Sequence, residues 1–233
     1  IREGESTLAV TGKVDRVDGW LRDGKLYIRV VDYKTGEKSF DLTNLRYGLG
    51  VQMLLYLFAL EGEGERYFGH PVVPAGVLYT PARDVILRTE RGATEEKIRA
   101  ALDKELRRSG MVLAEPEVLQ AMEHSALEKP CFLPIEVKKG GTITGGLASA
   151  AQLGKLGQYV ERLLHEITDE LSSGNINADP CSRSPQESSC DWGEYASACC
   201  FEEGRDRRRM MKKVRDSEFW RFIEQETEEV RHG

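Results

Sequence analysis

The sequence predicts an α/β fold, a mixed central sheet flanked by helices, and three features carry that reading. Asp23-Gly24 separates two β-rich runs, a strong short signal for a two-residue hairpin. Thr43 to Leu60 is apolar almost all round, which suits a helix buried against a sheet. Leu153, Leu156, Val160, Leu163, Leu164, Ile167 and Leu171 form an apolar stripe at helical spacing.

With a two-residue turn, Arg22 pairs with Lys25, and every facing pair has positions that sum to the same total. Asp15 then faces Asp32. Directly opposed strand residues share a face with β-carbons roughly 5 Å apart, and like charges there destabilise a sheet. A divalent metal would offset the repulsion, because two carboxylates at that separation can share one oxygen-seeking cation. Lys34 stands two residues beyond Asp32 and so leaves the strand on the same face. The hairpin reads as two metal ligands plus a cation. That set suits phosphodiester cleavage, which needs an activated water and relief of charge on the phosphorus and the leaving oxygen. The plainer alternative is a solvated hairpin face on which Asp15 bonds Arg16 or Lys13.

After the hairpin, Asp41 or Thr43 caps the apolar helix, from which Gln52 and Tyr56, four apart, project on one face. A glutamine in such company needs a partner, since burying an unpaired amide costs roughly 1–3 kcal/mol. A backbone group, the acidic hairpin and a nucleic-acid strand are all open to it. Gly62 to Pro74 reads as a connection, and Ala75 to Thr80 as a strand ending at Pro81. Thr94-Glu95-Glu96 starts a helix with Ile98, Ala101, Leu102 and Leu106 on one side, closing at Ser109-Gly110. Between Met111 and Gly146, Pro116, Pro130, Pro134 and Gly140-Gly141 break the chain into short pieces. The last apolar stripe has Ser149 as its cap and Gly174 as its stop.

Beyond Asn175 the composition turns to Cys, Ser, Pro and charge, which divides the chain into a core at 1–175 and a cysteine-bearing segment at 176–233. Arg205 to Arg215 holds seven basic residues against one acidic residue, and an acidic run follows from Glu224 to Glu229. The basic run could track a DNA backbone, but it reads more readily as a solvated helix face. The 233 residues are 40% apolar and 31% charged, without an apolar run long enough to cross a bilayer. A net charge of -6 argues against wholesale coating of nucleic acid and leaves room for a local basic groove. Four of the five cysteines fall between Cys181 and Cys200, which suggests an intracellular metal or iron-sulfur site or its remnant. The opening Ile1-Arg2-Glu3-Gly4 has no initiator Met, and a piece of a longer protein is expected.

Gly12-x-x-Asp15-Arg16-Val17-Asp18, then Asp32-Tyr33-Lys34, then Gln52-x-x-x-Tyr56 resembles the RecB-type branch of the PD-(D/E)XK nuclease superfamily, with the motifs in that family's order and spacing. Phe40-Asp41-Leu42, Tyr47-Gly48-Leu49, Gln52-Met53-Leu54, Pro74-Ala75-Gly76-Val77 and Gly174-Asn175-Ile176-x-Ala178-x-Pro180 extend the resemblance to the AddB (RexB) family of bacterial helicase-nuclease subunits. Nearly the whole chain is covered. The resemblance implies a restriction-endonuclease-like core and a Mg2+-dependent DNA exonuclease. It implies processing of double-strand-break ends for recombinational repair in the bacterial cytoplasm, with DNA and an AddA-type helicase-nuclease subunit as partners. It makes Asp15, Asp32 and the Tyr33 backbone carbonyl metal ligands, Lys34 the catalytic lysine, and Gln52 and Tyr56 residues that place DNA.

Two departures qualify it. The family brings a further His or Glu to the metal from a helix ahead of the first motif, and that ligand is expected upstream of Ile1. The AddB-type 4Fe-4S cluster uses a Cys-x2-Cys-x5-Cys stretch, and here Cys190 and Cys199 flank Gly193 at the middle ligand position. Cys181 or Cys200 could substitute, but an intact cluster is not expected; Cys131 reads as ordinary core. Two other functions stay open: a nuclease-like module that holds DNA or a partner without cutting, and a Cas4-like exonuclease.

Overall fold

The computed structural model describes residues 1–229 except 5, 37, 38, 89, 176, 185 and 186, so Ile176 of the Gly174-Asn175-Ile176 motif lies outside the described residues. In chain order the strands are β1 (Arg2–Glu3), β2 (Ser6–Thr7), β3 (Arg16–Arg22), β4 (Lys25–Lys34), β5 (Val72–Pro81), β6 (Ser109–Leu113), β7 (Ile135–Val137), β8 (Ile143–Gly145), β9 (Leu147–Ala148), β10 (Cys181–Ser184), β11 (Glu187–Ser188) and β12 (Arg209–Met210). The helices are α1 (Leu42–Arg46), α2 (Gln52–Phe68), α3 (Glu95–Glu105), α4 (Pro116–Met122), α5 (Ala150–Ser172), α6 (Ala196–Cys199) and α7 (Asp216–Glu229). Among the described residues no helix is long and apolar enough to cross a membrane. Contacts divide the chain into two compact units, one of residues 11–40 and 51–157 and one of residues 1–10, 41–50 and 158–233.

The first of these units is built on a five-stranded sheet of order β3-β4-β5-β6-β9. The β3/β4 and β5/β6 pairs are antiparallel and the β4/β5 and β6/β9 pairs parallel, which makes the expected mixed sheet. Asp23 (φ 49°) and Gly24 (φ 75°) both take the left-handed conformation that a two-residue hairpin turn demands. The pairing runs from Arg22 opposite Lys25 to Arg16 opposite Val31, as the sequence predicts. β4 has a partner on either side, and its Ile28, Val30 and Val31 are buried.

Each face of the sheet has its own cover. Leu26 pairs with Val72 and Asp32 with Tyr79, and Gly64 of α2 comes directly against the Val72 side chain, so α2 lies on the face that bears Asp32. The opposite face carries Val31, Leu78 and Val112, which pack with Leu119 of α4 and with Ala126, Leu133 and Ile135. Arg22 at the tip of the hairpin stacks on Trp20, 5.4 Å from the ring centre, and pairs with Glu117 of α4. Glu123, next after α4, is buried and accepts backbone N–H bonds from Cys131, Phe132 and Leu133, which ties down the segment that closes this face.

Three sequence expectations give way here. The single helix from Thr43 to Leu60 is two, α1 and α2, because Gly48 (φ 73°) and Gly50 (φ 70°) turn the backbone left-handed between them. The chain passes from one unit to the other at that break. Gly62 and Gly64 do not begin a connection but lie inside α2, which closes at Gly69 (φ 70°). Ser109-Gly110 is not a helix stop but the start of β6; α3 ends at Glu105. The Thr94 cap is as expected, its hydroxyl accepting from Lys97 N–H. In β6 the Gly110 backbone runs so close to β5 that an added β-carbon would lie 2.0 Å from the Val77 carbonyl oxygen.

Helix α5 begins with the expected cap: Ser149 and Gln152 exchange side-chain to backbone hydrogen bonds at 2.8 and 3.2 Å. In the second unit its Tyr159 hydroxyl donates to the Leu45 carbonyl at 3.0 Å, and the ring meets Phe222 of α7 edge-on. Burial raises the Tyr159 pKa to about 12. Asp41 caps α1 by accepting from Thr43 N–H at 2.8 Å, and its other oxygen takes a 2.6 Å bond from Arg183. The basic run 205–215 is not a helix: it holds the short β12, and Arg208 is paired with Glu203 and bonded to the Ser182 hydroxyl before α7 begins. No disulfide joins the cysteines: Cys181 is buried in β10, Cys190 lies in a 3-10 turn, and Cys199 and Cys200 are exposed.

Packing and charge make three substitutions informative. Gly110→Ala should destabilise the protein by about 1–3 kcal/mol or more. Gly62→Ala, at an exposed helical position with nothing within 4 Å of the new methyl, should stabilise it by about 0.5–1 kcal/mol; urea unfolding measures both. Burial raises the Asp41 pKa, but the bonds from Arg183 and Thr43 outweigh it and hold the pKa below the ordinary carboxylate value. Asp41→Asn should therefore cost up to about 1 kcal/mol at neutral pH. That deficit is fully present above about pH 4 and closes as pH falls through the lowered folded pKa. A deficit unchanged at lower pH would show that the charge contributes nothing.

Candidate functional site

The hairpin's ladder ends at Arg16 opposite Val31, and the next residues beyond it are Asp15, one residue ahead of β3, and Asp32, near the exit of β4. The two carboxylates differ in surroundings. Asp32 is 9% exposed, enclosed by its position between β3 and β5, whereas Asp15 is exposed. Asp15 is steered by a hydrogen bond that its Oδ2 accepts from the Tyr33 backbone N–H at 3.1 Å. Asp32 Oδ2 lies 2.6 Å from Lys34 Nζ, on the face where alternation puts both side chains. That oxygen is buried and has no well-directed hydrogen bond among the described residues, so the ammonium alone offsets its desolvation. The Tyr79 ring lies beneath, 5.9 Å from Lys34 Nζ. Burial, and then the Asp32 charge, raise the Tyr79 phenol above its usual pKa.

A cleft of about 340 Å3 opens beside Lys34. Its walls include Tyr79, Thr80, Arg83, Arg107 and Ser109, with Arg83 held by Glu105 and Arg107 by Glu136. The Thr80 hydroxyl on this wall is buried with no hydrogen bond among the described residues. Sequence reasoning missed these residues, because they come from the end of β5, the segment after it, and the lead-in and first residue of β6, which only the β5–β6 pairing brings together.

Gln52 and Tyr56 both lie in the first turns of α2, on the sheet face of Asp32. The Gln52 amide donates to the Tyr56 hydroxyl at 2.9 Å, so its partner is its own helix neighbour rather than a backbone group or the hairpin. Gln52 is exposed, and the burial argument that demanded a partner does not apply. Tyr56 in turn explains the first glycine of the hairpin motif. A β-carbon on Gly12 would lie 2.5 Å from Tyr56 Cε1 and 2.6 Å from its hydroxyl. The Gly12-x-x-Asp15 and Gln52-x-x-x-Tyr56 segments therefore touch, and the glycine lets the chain pass the ring on its way to Asp15.

Two carboxylates at one end of the hairpin, Asp15 exposed and Asp32 buried beside Lys34, are oxygen donors that suit a hard divalent cation; Mg2+ is commonly held by one or two carboxylates, with waters and substrate phosphates completing its octahedron. Tyr33 adds a backbone carbonyl between Asp32 and Lys34. Among the described residues no three His, Cys, Asp or Glu side chains come close enough to hold a metal by themselves, and Cys190 and Cys199 are no exception.

Set beside known proteins, residues 2–200 match the pattern of the PD-(D/E)XK nuclease superfamily. The chain is 34% identical over 229 residues to an ATP-dependent helicase/deoxyribonuclease subunit of the AddB type from Clostridium acetobutylicum, a match that covers 96% of this chain and 20% of that protein. It is 33% identical over 224 residues to the protein of the same name from Acetivibrio thermocellus and 31% identical over 221 residues to that of Ruminiclostridium cellulolyticum. The chain spans about a fifth of the length of these relatives.

The contact between the two motifs is open to a double-mutant cycle. Gly12→Ala should destabilise the protein when Tyr56 is present and do little in a Tyr56→Ala background, a coupling of about 0.5–3 kcal/mol by urea unfolding. Additive effects would mean that the ring and the glycine do not meet.

Proposed function

The chain belongs to the PD-(D/E)XK nuclease superfamily, and from that membership we propose that it is the DNA-cutting module of a larger helicase-nuclease, hydrolysing phosphodiester bonds from a strand end with Mg2+. The reading rests above all on one observation: at the open end of the hairpin Asp15 accepts from the N–H of Tyr33, the residue after Asp32, and Lys34 Nζ lies 2.6 Å from Asp32. A scaffold has little reason to set two acids against each other. The names of its relatives support the wider role, in which a motor feeds DNA and an AddA-type subunit works alongside, during processing of broken ends.

In this reading Asp15, Asp32 and the Tyr33 carbonyl hold the ion, and a further His or Glu comes from outside the described residues. Bound Mg2+ supplies Lewis-acid stabilisation of the scissile phosphate and a more acidic water. Lys34 has three donors, so it keeps Asp32 in place with one and offers others to a phosphate oxygen or to the attacking water. The Tyr33 N–H fixes one Asp15 oxygen and leaves the other to bind. Gln52 spends one amide N–H on Tyr56 and presents the second, at an exposed position, to the DNA strand. The cleft beside Lys34, with Arg83 and Arg107 in its wall, would receive the sugar-phosphate backbone. Cys190 and Cys199 have no part in this reading.

End-labelled DNA incubated with the whole protein and Mg2+ tests it. Asp15→Ala, Asp32→Ala and Lys34→Ala should each slow cleavage at least about 10²- to 10³-fold, and EDTA should abolish it. If wild type and variants cut equally little and still bind DNA, the chain is a module that holds DNA without cutting it.

A further inference from the structure

The sheet face turned away from the catalytic pair carries its own charged constellation at the same strand tip. Because alternate residues point to opposite faces, Arg16, Asp18, Arg29 and Tyr33 share the face of Val31, whereas Asp15, Asp32 and Lys34 share the other. Arg16 Nε donates to Asp18 at 2.6 Å and Arg29 Nε to the other Asp18 oxygen at 2.8 Å. Arg16 also donates to the Tyr33 hydroxyl at 3.2 Å. From the segment leading into β6, Arg108 stands near enough to feel Arg29, Arg16 and Asp18, and its guanidinium lies over the Phe132 ring, 5.6 Å from its centre.

Two guanidinium groups thus bond one carboxylate, and a third, on Arg108, stands near them. Burial raises the Asp18 pKa, but the bonds from both arginines hold it below the ordinary value, so it is fully ionised and already committed. Arg29 Nη1 is buried and makes no hydrogen bond among the described residues, and the Arg29 side chain is only 14% exposed. Burial, and then the like charges of Arg29 and Arg16, push the Arg108 pKa down. Two rings flank the arginines: Tyr33 is 43% exposed and Phe132 49%. Ion pairing accounts for Arg16 and Asp18, but it leaves the Arg29 Nη1 donor, an Arg108 with no ion pair among the described residues, and two half-exposed rings beside them.

We propose that Arg16, Arg29 and Arg108 bind a backbone phosphate of single-stranded DNA, with bases stacking on Phe132 and Tyr33. Three arginines against one carboxylate leave net positive charge, clustered cations gain affinity for a strand by releasing its counterions, and aromatic faces accept any base. The patch meets the catalytic pair at the open end of the hairpin, far from its turn, where Arg16 follows Asp15 and Tyr33 follows Asp32. It would hold the strand near the cut without taking part in it. This deepens the nuclease reading and rests on it only for the identity of the strand.

The test is binding of a fluorescein-labelled oligothymidylate by the whole protein in EDTA, followed by anisotropy over a range of salt, beside a cleavage assay in Mg2+. Arg108→Gln should weaken binding several-fold and make the slope of log affinity against log salt shallower by about 0.7. Phe132→Ala should weaken it about fivefold or more with the slope unchanged. Arg66→Gln, an exposed arginine on α2 with an 80% exposed side chain, is the control and should bind as wild type does. If Arg108→Gln and Phe132→Ala also bind as wild type, the patch is not a DNA site. If polyglutamate competes as well as oligothymidylate of equal charge, the patch takes acidic protein and the proposal falls. A protein that binds through these residues in EDTA and never cuts in Mg2+ supports the patch and sinks the nuclease reading, so the two failures are distinct.

Discussion

The register set by the two-residue turn at Asp23-Gly24 is the constraint on which the site depends. With both turn residues left-handed, the strands are locked in one alignment from Arg22 opposite Lys25 to Arg16 opposite Val31. The side-chain period of a strand is two, so a slip by a single residue would send Asp15 to the face of Val31 and bring Arg16 opposite Asp32. An arginine beside Asp32 would add a second positive charge to the one Lys34 already brings and so disfavour a cation there. The electrostatic tension of the site is thus maintained by turn chemistry some distance from it, and the burial of Ile28, Val30 and Val31 holds the alignment against relaxation.

The same alternation separates two kinds of work across one layer of backbone. Acidic groups and one lysine collect on the α2 face, and arginines collect on the α4 face. Had both sets shared a face, the guanidinium groups would have neutralised the carboxylates. A single sheet can instead present negative charge for a cation and positive charge for phosphate within a residue of each other along the chain.

What could be read from the sequence was what depends on neighbours along the chain. The hairpin register followed from one dipeptide, the α5 stripe and its Ser149 cap from spacing, and the placement of Lys34 beside Asp32 from a period of two. The Asp18–Arg29 pair was legible by the same sum that pairs Asp15 with Asp32. The rest failed for identifiable reasons. Gly48 and Gly50 were lost in a stretch whose apolar character suggested one unbroken helix, and Gly62 and Gly64 suggested a loop because a glycine that admits close packing looks locally like one that admits a turn. β6 lay hidden because its partners are β5 and β9, distant in sequence, and the cleft beside Lys34 went unseen with it. Gly12 was noticed as part of a motif, but only three dimensions show the ring it makes room for.

Tyr33 serves both faces of the sheet by two separate means. Its N–H holds Asp15 and its hydroxyl accepts from Arg16. The first belongs to the backbone, which every residue but proline supplies; the second belongs to this side chain alone. Replacement of this side chain by phenylalanine would therefore remove the Arg16 contact and leave the backbone bond to Asp15 in place. The two faces of the sheet are tied to one residue and can still vary separately.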